Sequence, residues 1–308
     1  MKRILTIAIC LLASIVLAHA ESTSKCLLQH QGTVQLFDAD KIANAITAAV
    51  DGDTIYLTAG EFPGFTINKK ITVRGAGQAT KITDNVSINI SGTPTLTQTV
   101  LEGVNLGAKN KNIYLASAMK GVKIKQCSMY NLRTSANNSD VIIDRCSISC
   151  ELEYSSYIKS MTVVNSSVSI GSSTSSSTNI INFINCDVWF NYPSNVAGTF
   201  INCAIRTNNT NSGISNCAFV NCLFRWSAAG YFNSTTSAQQ CYYDASCSWD
   251  AATFEELRYL GNDGRVVGYM GGVSPYTLDL AVPKVTESQI SLDPDSRVLN
   301  VNIKVSAK

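Results

Sequence analysis

The chain has 308 residues, 45% of them hydrophobic and 15% charged, with 24 basic side chains against 22 acidic ones. That near balance excludes the basic excess used in nucleic-acid binding. Beyond the N-terminal leader no apolar run approaches the ~18 residues needed to span a bilayer, so no second membrane anchor is expected.

Lys2-Arg3, the apolar run from Ile4 to Leu17 and the small-x-small pattern Ala18-His19-Ala20 read as a signal peptide over residues 1–20. A lipid anchor would need a small residue before the modified cysteine, but Cys10 follows Ile9 and Cys26 follows Lys25. The expectation is a free protein that is secreted, periplasmic or on the surface of a bacterium. Loss of Lys2 and Arg3 leaves 24 − 2 = 22 basic residues against 22 acidic ones, a neutral mature chain. Loss of His19 and Cys10 leaves one histidine, His30, and ten cysteines.

Residues 38–50 carry Ile42, Ala45, Ile46, Ala49 and Val50 as one apolar stripe at helical spacing, with Asp38 or Asp40 able to cap the start. Asp51-Gly52-Asp53 then turns the chain into a strand over Thr54–Leu57.

Further on the sequence repeats. Cys127, Cys146, Ser166, Cys186, Cys203 and Cys222 follow one another at intervals of 19, 20, 20, 17 and 19 residues. Two residues past each stands an apolar side chain: Met129, Ile148, Val168, Val188, Ile205 and Phe224. Three residues before each stands another: Ile124, Ile143, Val163, Phe183, Phe200 and Phe219. The residues between are mostly polar, which is the alternation of half-buried strands. The units are too short for helix pairs and too rich in Val, Ile, Asn, Ser and Thr, so each reads as one coil of a parallel β-helix. Like residues then stack about 4.8 Å apart in successive coils. The residue before each ladder position (Gln126, Arg145, Asn165, Asn185, Asn202, Asn221) falls at a bend, which suits asparagine's tolerance of left-handed backbone. The ladder cysteines read as a buried column of small, soft side chains, without the paired spacing of a metal site. Cys241 and Cys247 are the better candidates for a disulfide.

Gly171–Thr178 is a loop excursion from one coil, because the ladder continues in step beyond it. Asp250–Leu260 reads as a short helix followed by Gly261. In the tail, Leu299, Val301, Ile303 and Val305 alternate with polar residues, and with Ile290 and Leu292 before the Asp293–Ser296 turn they form a β-hairpin. The domain organisation expected is a signal peptide, 1–20, a β-helix with its N-terminal cap, 21–272, and a hairpin tail, 273–308.

The stretch AITAAVDGDTIYLTAGEF (45–62), the following INKKITVRGAG (67–77) and the later GNDGRVVGYMGG (261–272) resemble the pectate-lyase-like family of secreted parallel β-helix proteins. The resemblance covers roughly residues 38–272. It implies an all-β, single-stranded, right-handed parallel β-helix with an N-terminal capping helix. It carries over no catalytic residue: the Trp-x-Asp-His and Arg-x-Pro-x-x-Arg signatures of pectate lyases, the Asn-Thr-Asp, Asp-Asp and Gly-His-Gly of polygalacturonases and the Asp-Phe-Ile-Phe-Gly of pectin methylesterases are missing from the sequence.

One outward column draws a functional expectation. Three residues past each ladder position come Tyr130, Ser149, Ser169, Trp189, Arg206 and Arg225. Aromatic faces cover sugar rings and guanidinium groups pair with carboxylates, so Tyr130, Trp189, Arg206 and Arg225 form the candidate ligand-binding set. The function expected is binding of an extended polysaccharide or cell-surface glycan, neutral or acidic, along one flank, with no metal site. Two alternatives stand beside it. One is a divergent polysaccharide lyase or glycoside hydrolase, with Ca²⁺ as cofactor if a lyase and with Asp140, Asp144 and Asp187 as the carboxylates available along the ladder. The other is a structural or adhesive surface protein. His30 has no recognisable nucleophile near it in sequence.

Overall fold

The computed structural model describes residues 24–91, 98–107, 109–153, 157–171, 180–191, 197–207, 214, 216–225, 232, 236–246 and 259–277, together with the backbone of 284–292 and 299–306. The leader, most of the Gly171–Thr178 loop, Cys247 and all but the last two residues of the helix expected over Asp250–Leu260 lie outside the described residues.

The alternating segments fold as expected into strands that stack in parallel to form a β-solenoid. One sheet of 12 strands runs from the N-terminal hairpin through Thr54–Leu57, Thr72–Arg74, Val100–Glu102 and Lys123–Lys125 down to Ser237–Gln239. A second sheet of 13 strands runs beside it, from Gly60–Phe62 to Tyr242–Tyr243. The two columns of apolar residues flanking the ladder line the interior. Ile124, Ile143, Val163, Phe183, Phe200 and Phe219 lie opposite one another on successive strands of the first sheet. Val168, Val188, Ile205 and Phe224 do so in the second. All are buried, and each contributes about 1.5–3 kcal/mol by leaving water. Like stacks on like within the core. The rings of Phe183 and Phe200 are parallel to within 2° with centroids 4.6 Å apart, and Phe219 continues the stack at 4.9 Å.

The bend between the sheets has a strict backbone requirement. Gln126, Arg145, Asn165, Asn185, Asn202, Asn221 and Gln240 all have positive φ, between 46° and 53°. Each next residue turns its side chain inward. The Cys203 thiol approaches the carbonyl oxygens of Phe183 at 3.5 Å and Ile201 at 3.3 Å, and Cys186 and Cys222 do the same one coil away. Ser166 substitutes its hydroxyl, donating to Val164 O at 2.7 Å and accepting from Cys146 N–H at 3.0 Å. The described cysteines are free thiols. Burial raises the thiol pKa of Cys146 and Cys203 well above the ordinary value, so both are neutral, inert core residues.

The cap departs from expectation in two respects. The helix forms over Ile42–Ala48 and buries Ile42, Ala45 and Ile46 on the first coil. Asp38 does not cap it but pairs with Lys25. Ahead of the helix, Lys25–His30 and Thr33–Asp38 form an antiparallel hairpin that pairs on Thr54–Leu57. No strand was expected there, because Cys26 and Leu28 give too short an inward pattern to stand out. The tail forms the expected two-stranded sheet, Lys284–Leu292 with Leu299–Ser306.

Candidate functional site

The ladder asparagines do more than permit a bend: they hold a strap. Residues 259–277 run back along the turns toward the N-terminal end. Asn202 receives the Asn262 N–H on its Oδ1 at 3.1 Å, donates from Nδ2 to Asn262 Oδ1 at 2.9 Å, and accepts the Gly268 N–H on its backbone oxygen at 2.8 Å. Asn165 donates from Nδ2 to Gly271 O at 2.7 Å, and Gln126 from Nε2 to Thr277 O at 3.3 Å. Gly272 has φ +71°, which L side chains rarely adopt, and a Cβ there would displace the Asn185 amide, so glycine lets the strap sit this close without strain. Val267 and Tyr259 pack on the outward side chains of Ala204 and Leu223.

Beside this strap the structure gathers Asp187, Trp189 and Arg206 on the outer face of the second sheet. Trp189 lies directly opposite Ser169 on one side and Arg206 on the other. The Arg206 guanidinium carbon sits 4.3 Å from the centroid of the indole, a cation–π contact. Arg206 Nη2 is also 3.7 Å from Asp187 Oδ2. Asp187 is 7% exposed, and its Oδ1, like Trp189 Nε1, is buried with no hydrogen-bond partner among the described residues. Burial pushes the Asp187 carboxyl up from 3.8 to about 6, and the Arg206 charge offsets only part of that. Tyr269 of the strap faces the same pair: burial and then the Asp187 charge raise its phenol, while Arg206 lowers it. Arg225 lies one residue past the end of the next strand, Leu223–Phe224, exposed, with its backbone N–H donating to Ile205 O at 3.1 Å.

The fourth candidate, Tyr130, lies elsewhere. The register with the next strand shifts between Met129 and Asn131, so the column expected from Tyr130 through Ser149 to Trp189 is interrupted by a bulge. Tyr130 faces Cys150, whose hydrogen bond is the leading cause of its raised phenol pKa. It stands three strands, or roughly 14 Å, from Trp189. The remaining carboxylates have other partners: Asp144 pairs with Arg145 at 3.1 Å, and Asp140 with Lys120 at 3.4 Å. His30 Nδ1 lies 2.8 Å from Asp53 Oδ1, while Asp53 Oδ2 accepts the Val50 N–H at 2.8 Å, which ties hairpin, helix and first coil together. Among the described residues no three His, Cys, Asp or Glu side chains converge on a point that would hold a metal ion. The presence of the strap residue Tyr269 at the site was not legible in the sequence, since nothing in the repeat reveals which coil a returning segment reaches.

No family model, no curated protein and no solved structure matches the chain.

Proposed function

We propose that the protein is an exported, pectate-lyase-like β-helix protein that binds an extended glycan along the flank formed by Trp189, Arg206 and Arg225. The observation that carries this reading is the stacking of the Arg206 guanidinium on the Trp189 indole across two neighbouring strands, with Arg225 exposed just past the end of the next one. Strands about 4.8 Å apart give a regular rigid surface suited to a regular polymer. The indole supplies an apolar edge for a sugar ring and the guanidinium groups supply paired donors for hydroxyl or carboxylate oxygens. Arg206 is shared with Asp187 at 3.7 Å, and Arg225 adds a second exposed guanidinium beside it for an acidic residue of the polymer.

A second reading, a lyase or hydrolase, draws on the raised carboxyl of Asp187 beside Arg206 and Tyr269, since a carboxyl titrating near 6 can exchange a proton near neutral pH. A lyase that used Ca²⁺ would hold it on carboxylate and carbonyl oxygens; among the described residues no three His, Cys, Asp or Glu side chains group together, and no step is assigned to the ion.

Retention on columns of immobilised acidic and neutral polysaccharides tests the binding reading. The double variant Trp189→Ala/Arg206→Ala should lose retention while keeping its strand signal in circular dichroism. Unchanged retention would remove the flank as the binding surface. The same polysaccharides, incubated with the protein with and without Ca²⁺ and assayed for new reducing ends and unsaturated uronates, decide between binding and cleavage.

A further inference from the structure

The N-terminal hairpin ends the first sheet in an edge that no described strand pairs with. Thr33–Asp38 is the terminal strand, paired on one side with Lys25–His30 and on the other with no described strand. Proteins usually blunt such an edge with lysine, proline, a bulge or a covering segment. Residues 33–37, Thr-Val-Gln-Leu-Phe, hold no charge and no proline, and the register with the neighbouring strand is unbroken. Val34 is 63% exposed and Leu36 is 60% exposed.

The hairpin geometry says which backbone groups face outward. His30 and Thr33 close a two-residue turn in which Gln31 has φ 45° and Gly32 φ 84°. A closing pair of this kind is hydrogen-bonded, so Thr33, Gln35 and Phe37 direct their N–H and C=O groups at Lys25–His30. The bond from Ala39 N–H to Ser24 O at 3.1 Å continues the same odd-numbered series. Val34 and Leu36 therefore present theirs to the free edge.

We infer that this edge is an interface at which Thr33–Asp38 pairs antiparallel with the same strand of a second copy, about a two-fold axis through Gln35. That register is self-complementary. Val34 of each copy lies opposite Leu36 of the other and exchanges backbone hydrogen bonds with it, about four in all. The occupant is a second copy because the neutral, palindromic side-chain pattern satisfies itself. Branched aliphatic meets branched aliphatic, Gln35 meets Gln35, Thr33 meets Phe37, and no like charges are brought together. The pairing also joins apolar surface already present. Leu36 lies opposite Leu27, and Leu27 opposite the part-exposed Tyr56, so the row Tyr56, Leu27, Leu36 continues across the seam into Val34 of the second copy.

The register makes a sharp test. Gln35 and its counterpart form a non-hydrogen-bonded pair with Cα atoms about 4.5 Å apart, inside disulfide range. Two Val34 residues are diagonal neighbours about 7–8 Å apart, outside it. The chain lacking only its expected leader is studied by light scattering on a sizing column and by mild oxidation followed by non-reducing gels. The expected results are a doubled mass that falls to the monomer on dilution, a disulfide-linked dimer for Gln35→Cys, and none for Val34→Cys beyond the wild-type background. Leu36→Lys, at a solvent-exposed position, should give a monomer with an unchanged melting temperature. A wild-type monomer at every concentration overturns the inference. So does a dimer that Leu36→Lys leaves intact, or one in which Gln35→Cys fails to cross-link.

Discussion

Replacing Asp187 with asparagine should make the folded protein more stable at neutral pH, although it deletes an ion pair. The carboxylate is 7% exposed, its Oδ1 has no hydrogen-bond partner among the described residues, and its guanidinium partner is 3.7 Å away, beyond good hydrogen-bond range. Desolvation therefore outweighs attraction, and the folded carboxyl titrates at about 6 against 3.8 for an ordinary aspartate. At ~1.4 kcal/mol per pH unit, the gap of roughly 2 units corresponds to about 3 kcal/mol as an order of magnitude. Between 3.8 and 6 the folded chain binds more protons than the unfolded chain at this site. The contribution of Asp187 to stability is therefore greatest below 3.8, falls as pH rises through the window, and stays low above 6. The asparagine variant has no such titration. Urea unfolding of both proteins across this range should show the variant ahead by up to about 3 kcal/mol near pH ~7.5, with the gap closing toward pH ~4. A variant less stable than wild type at neutral pH, or a gap that does not change with pH, would refute the argument that burial of the charge dominates.

Two further substitutions probe the framework. Phe200 is fully buried between Phe183 and Phe219, with Phe190 edge-on at 5.6 Å, so Phe200→Ala should cost about 3–5 kcal/mol in urea unfolding, and a loss under about 1 kcal/mol would contradict a packed ring stack. Asn202→Ala loses both side-chain bonds to Asn262 and places alanine at φ 53°, for a combined cost of about 2–3 kcal/mol, while Asn202→Gly keeps the backbone and loses only the docking. Both variants should admit protease within residues 259–277, and resistance equal to wild type would show that the ladder does not hold the strap.

The local sequence determined the solenoid because one stacking rule recurs along it. Each coil needs an inward side chain three residues before the ladder position and another two residues after it, with a residue able to adopt left-handed backbone between them. Phe200-Ile201-Asn202-Cys203 satisfies those needs without reference to distant parts of the chain, so period and composition were enough to reveal fold, core columns and turns. The pairing of Trp189 with Arg206 was legible for the same reason, since neighbours in adjacent coils are set by register. Tyr130 stands three strands from Trp189, and the register shift beside it leaves no trace in spacing, because extra residues in one strand do not disturb the hydrophobic pattern. The strap and the environment of Asp187 were decided by tertiary structure. Asp187 looks like any solvated strand residue in the sequence. In the fold it is a buried, half-satisfied carboxyl, and Tyr269, from a distant part of the chain, is brought within electrostatic reach of it by a strap that Asn165 holds from its turn. Burial of a charge depends on what covers it, and a segment returning from far along the chain leaves no periodic trace of where it will land.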